Sequence, residues 1–109
     1  MFRIYLSHPY GGKAENREAA AMWARFFREE WAKNEEVKDW EIVNPLEALR
    51  DQEEGNTEDQ MIGLAVELMR SCDGVLFAPG WRKSRGCRYE YMVARHTDDL
   101  KYYLAEIPA

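Results

Sequence analysis

The chain has 109 residues, 46% of them apolar and 32% charged, with a formal net charge of -5. That length supports one domain spanning residues 1–109 with its own core, and the apolar fraction excludes a disordered chain. The acidic balance argues against a nucleic-acid backbone as the main partner, because such binding rests on lysines and arginines neutralising phosphates. No apolar run approaches the ~20 residues that a bilayer helix needs.

The start, MFRIYLSHPY, lacks the charged, apolar and small-residue succession of a secretory signal, so a cytoplasmic location is expected. Cys72 and Cys87 are too few for a disulfide framework in that compartment. Together with His8 and His96 they are scattered singly, whereas structural zinc needs closely spaced ligand pairs. No metal and no cofactor is expected.

In chain order, FRIYLS is short, rich in aromatic and β-branched residues, and ends in the turn formers HPYGG, which predicts a buried strand. From Ala14 to about Asn34 the spacing of Ala20, Trp23, Ala24, Phe27 and Trp31 predicts a helix with one apolar face. WEIVNP, residues 40–45, reads as a second strand stopped by Pro45. A short helical turn and a polar loop follow. Asn56 or Thr57 then caps a helix running to about Ser71, with Met61, Leu64, Ala65, Leu68 and Cys72 inward. GVLFAP, residues 74–79, is the third strand. A helix from just after Ser84 to about His96 and a last strand, Lys101 to Ala105, complete the order β-α-β-α-β-α-β.

Strands alternating with helices of this length imply an α/β fold: a small open parallel sheet of four strands, flavodoxin-type order 2-1-3-4, covered on both faces. Ligands of such sheets bind beyond the carboxyl ends of the strands, where strand order reverses. Strands one and three would lie side by side. Their loops would then set Ser7, His8, Tyr10, Gly11 and Gly12 opposite Gly80, Trp81, Ser84, Gly86 and Glu90.

The second of these loops gathers charge. Residues 79–96 hold five basic residues and a single acid, Glu90, in an otherwise acidic chain. Arg82, Lys83, Arg85 and Arg88 crowd a helix start, where positive charge opposes the macrodipole unless an anion binds there too. A ligand phosphate would supply that anion. Each residue also has an ordinary reading: Ser84 as a helix N-cap, the GG pair as a plain turn, Tyr5 as core, Glu90 as a solvated helical acid. Neither a GxxxxGK[ST] loop nor a GxGxxG fingerprint is present.

The run IYLSHPYGG, the strand ending NP and the segment CDGVLFAPGWRKSRGCRYE together resemble the small nucleoside 2-deoxyribosyltransferase-like family, in particular its phage- or prophage-borne branch. The resemblance covers most of the chain. It implies transfer or hydrolysis of the N-glycosidic bond of a 2′-deoxynucleoside or its 5′-monophosphate, without a cofactor. By position it implies Glu90 as the nucleophile and Tyr5 as the group orienting it. Ser84, and less directly Ser7, would hold the 5′-hydroxyl or phosphate, and Gly11 and Gly12 would form the turn beside the ligand. Arg85 and Arg88 would favour a 5′-phosphate, and Trp81 or Tyr10 would stack on the base or simply pack.

Two departures stand out. The aspartate that handles the leaving base is expected eight positions before Asp73, where this chain has Ala65, and the usual glycine of the first loop is His8. His8 could replace the missing acid or be a turn residue without chemistry. A pocket lacking its acid could instead bind a nucleotide without turning it over. The resemblance further implies a homo-oligomer, for which four tryptophans and the tail KYYLAEIPA offer surface.

Overall fold

The structure, a computed structural model, describes residues 1–105. Four strands, β1 (Arg3–Ser7), β2 (Glu41–Val43), β3 (Gly74–Phe77) and β4 (Lys101–Leu104), form one wholly parallel sheet in the order β2-β1-β3-β4. The helices between them are α1 (Ala14–Ala32), a short α2 (Pro45–Ala48), α3 (Glu58–Arg70) and α4 (Arg85–Arg95). The predicted α/β order is therefore the observed one. No helix of the described residues is long and apolar enough to cross a membrane.

The alternation of a strand sends successive side chains to opposite faces, and β1 uses this to build two cores. Ile4 and Leu6 join Ala24, Ile42, Leu76 and Ala78 under α1, roofed by Trp23, Phe27 and Trp31. Tyr5 joins Val75, Phe77, Met69, Cys87 and Ala94 under α3 and α4. Ser7, fully buried, follows Tyr5 two residues along the same strand. β1 lies in the middle of the sheet, and its last side chains are the ones nearest the switch point between β1 and β3.

Local chemistry sets the element ends. Asn44 turns out of β2 and accepts the Leu46 N–H at 3.1 Å, so the second strand stops at Val43 rather than running to Pro45. Pro45 opens α2, a position that needs no N–H donor. Thr57 and Gln60 form a reciprocal capping box at the start of α3, and Ser84 accepts the Cys87 N–H at 3.3 Å at the start of α4. Within α3 it is Met69 that is fully buried, beside the Leu68 and Ala65 expected from the spacing. Residues 106–109, the end of the tail proposed for self-association, lie outside the described residues.

Candidate active site

At the carboxyl ends of β1 and β3 a cleft of about 690 Å³ opens between the β1–α1 loop, α2, α3 and the start of α4. Its size falls within the several hundred Å³ usual for small-molecule sites. Glu90 lies at its floor. On α4 the residues Cys87, Glu90 and Ala94 recur at helical spacing and turn inward, which leaves Glu90 only 5% exposed.

Both carboxylate oxygens of Glu90 are occupied from β1. Tyr5 donates its hydroxyl to Oε2, and Ser7 donates Oγ–H to Oε1 at 2.8 Å. Burial disfavours the charged carboxylate and lifts its pKa to about 7, while the two hydroxyl donors pull the other way. The same burial, and the neighbouring Glu90, push the Tyr5 phenol well above its ordinary value. A carboxyl group that titrates near neutrality, fixed at both oxygens and facing a cleft, is equipped to attack an electrophilic carbon or to stabilise a cation above it.

The basic residues do not surround Glu90 as the sequence suggested. Arg85 is held by Asp59 at 2.7 Å and Glu58 at 3.7 Å, both from the first turn of α3. The anion that settles this guanidinium at a helix start is thus a neighbouring helix. Arg88 donates to the Arg82 carbonyl at 3.1 Å, and the Arg82 guanidinium lies over the Trp81 ring at 4.7 Å. Of the four, only Lys83 and Arg85 line the cleft. Lys83 forms no ion pair among the described residues, and Lys13 adds a second cation from the α1 side.

Trp81 does not offer its face to the cleft. Gly80 takes a left-handed φ of 89°, and the 3₁₀ turn that follows folds the indole back against Phe77 and Tyr91 at ring separations of 5.1 and 4.7 Å. Neither Gly80, Trp81 nor Arg88 lines the cleft. Ser7 lies beneath it, engaged with Glu90. Tyr5, His8, Tyr10, Gly11 and Gly12 line one side, and Ser84 and Gly86 another. Ser84 does double duty as the α4 N-cap. Gly11 and Gly12 adopt φ of 57° and 74°, and a Cβ on either would meet no atom, so the loop turns tightly without filling the cleft.

Sequence reasoning missed Arg17, the residue that shapes this loop. Its guanidinium donates to the Tyr10 hydroxyl at 2.6 Å and to Glu53 and the Leu46 carbonyl, both at 2.5 Å, tying the β1–α1 loop to α2 and the turn after it. The only available signal was its place one turn into α1, five positions after Gly12. Ala65 lines the cleft from α3, so a methyl group stands where an acid was expected. His8 is half-buried. It donates Nδ1–H to the Pro9 carbonyl at 2.7 Å, and burial lowers its pKa. Burial lifts the Cys87 thiol to about 11, which makes it a poor nucleophile at neutral pH. Among the described residues no three His, Cys, Asp or Glu side chains converge as a metal site.

A family model described as a domain of unknown function, DUF4406, matches residues 2–101. The chain belongs to the DUF4406 family. No curated protein and no solved structure matches it. The DUF4406 match spans every residue of the cleft, from Tyr5 to Glu90.

Proposed function

We propose that this chain cleaves the N-glycosidic bond of a 2′-deoxynucleoside or its 5′-monophosphate, with Glu90 as the group that meets C1′. The observation that supports this most is the grip of Tyr5 and Ser7 on the two oxygens of a buried carboxylate at the floor of a nucleoside-sized cleft. Glycosidic cleavage passes through an oxocarbenium-like state, and a carboxylate beneath the ring either stabilises it or captures it as a glycosyl-enzyme. The two hydroxyls fix the direction of attack and favour the ionised form of Glu90. A sugar gaining positive charge at C1′ favours that form further, so the carboxylate already populated near pH 7 is the form that reacts.

The 5′ end would rest at the start of α4. There the Ser84 hydroxyl and the first free amides of the helix can meet a hydroxyl or phosphate, and Lys83 adds charge. Tyr10, on the cleft wall and held by Arg17, is the aromatic group available to a base; the buried Trp81 is not. Base release from deoxynucleoside monophosphates, followed by chromatography with Glu90→Ala as control, tests the proposal. Absence of released base from every common deoxynucleotide would falsify it.

A second reading has its own support. The methyl of Ala65 in the cleft wall and the neutral tendency of Glu90 also suit a protein that binds a nucleotide without cleaving it. Nucleotide binding that persists in Glu90→Ala, with no base released by the parent chain, favours that reading.

A further inference from the structure

We infer that His8 is the general base that delivers water to C1′, which makes the chain a hydrolase of the glycosidic bond rather than a base-exchange enzyme; the inference rests on the glycosidic reading above. His8 lines the same cleft as Glu90, in the loop that begins directly after the Ser7 that is bonded to that carboxylate. The contact from Nδ1 to the Pro9 carbonyl fixes the ring, because a carbonyl only accepts and Nδ1 must therefore carry the proton. Nε2 is then the nitrogen with the free lone pair, and it has no hydrogen-bond partner among the described residues. Pro9 stiffens the loop that supplies this carbonyl, since its ring locks φ.

Lys13 and Lys83 also line the cleft, but as cations without a lone pair to offer, and the acids, phenols and thiol of its wall are engaged or protonated. Glu53 is held by Arg17 and Glu58 by Arg85, the Tyr10 oxygen accepts from Arg17, and the Tyr5 hydroxyl is committed to Glu90. Burial keeps the Cys87 thiol protonated. Only His8 combines a free lone pair with the neutral form that burial favours. That state suits a base and works against the acid role considered from sequence, which needs an imidazolium.

The steps balance without another reactant. Glu90 Oε forms a bond to C1′ as the C1′–N bond breaks, and the departing base takes a proton from solvent. Water oxygen then bonds to C1′, its proton passes to His8 Nε2, and the electron pair of the C1′–Oε bond returns to the Glu90 carboxylate. The imidazolium afterwards releases its proton to solvent.

Rapid-quench measurement of base release, with intact-mass analysis of the protein, tests this on the parent chain and on His8→Ala and His8→Gln. Both variants should release one equivalent of base per chain at close to the parent rate. Their steady turnover should then fall about 100-fold, with a deoxyribosyl adduct accumulating on the protein. Azide, a nucleophile with no proton to lose, should restore turnover and yield the glycosyl azide. Steady turnover at the parent rate in both variants overturns the inference. So does loss of the first equivalent as well, in variants whose circular dichroism and melting match the parent. A parent chain that releases no base fails at the earlier proposal, an outcome visible before any His8 variant is made.

Discussion

Ser7 Oγ on β1 and Glu90 Oε1 on α4 stand 2.8 Å apart across the boundary between sheet and helix, both shut away from solvent. Together with the Tyr5 contact this means that the carboxylate is positioned by β1, one of the two inner strands of the sheet, and not by its own helix. Removing a donor should therefore alter the proton affinity of Glu90 before it alters the fold.

For Tyr5→Phe the direction is set by which form the phenol favours. Its O–H stabilises the ionised carboxylate, so its loss should raise the Glu90 pKa above about 7. Carbon-13 NMR titration of the glutamate carboxyls would show the displaced resonance, and base release, if present, should shift to more alkaline pH with it. An unmoved titration would mean that the phenol does not share the proton.

Stability should also depend on pH through Glu90. The folded chain holds this proton up to about pH 7, whereas the ordinary value is 4.5. The group's contribution is present in full below about pH 4.5 and is lost as pH rises through 7. Glu90→Gln cannot ionise, so it should melt higher than the parent at pH 8 and close to it at pH 4.5. The gap should be on the order of 3 kcal/mol at most. Equal melting temperatures at both pH values would contradict the burial argument.

Arg17→Met keeps the aliphatic stem and removes the guanidinium donors to the Tyr10 hydroxyl, the Leu46 carbonyl and Glu53. The cost should be about 2 kcal/mol in urea unfolding, since part-buried acceptors lose a charged donor. Hydrogen exchange should speed up at residues 10–13 and 46–53 while the strand amides stay protected. Uniform loss of protection would show instead that Arg17 supports the whole domain.

Lys83 and Arg82 are neighbours with different surroundings, which makes them a matched pair. Lys83→Ala should weaken binding of a deoxynucleoside monophosphate about tenfold, roughly 1.4 kcal/mol, and leave the free nucleoside unaffected. Arg82→Ala, whose guanidinium lies on Trp81 away from the cleft, should change neither. Isothermal titration with both ligands decides it; equal effects at the two positions would argue for a diffuse field rather than a contact.

Much of this fold was legible because its signals are local. The three-and-four spacing of Ala20, Trp23, Phe27 and Trp31, the caps at Thr57 and Ser84, and the short apolar runs of β1 and β3 each act over a few residues. The pairing of Tyr5 with Glu90 was reached only through resemblance, since eighty-five positions separate the two residues. What the sequence hid was the destination of long side chains. Arg85 and Asp59 meet across two helices, Arg17 reaches three acceptors on separate segments, and Trp81 folds inward because a left-handed glycine reverses the chain before it. Composition marked the cluster as basic but could not show which cations were already neutralised.

The tryptophans divide unequally between the two sides of the sheet. Trp23, Trp31 and Trp40 share the face under α1, whereas Trp81 alone belongs to the face that carries Glu90. A chain with the first three replaced by phenylalanine would emit from one indole, packed on Phe77 and Tyr91 and joined to the Ser84 cap through Arg82 and Lys83. Its fluorescence would separate local opening on that side from melting of the other without a label.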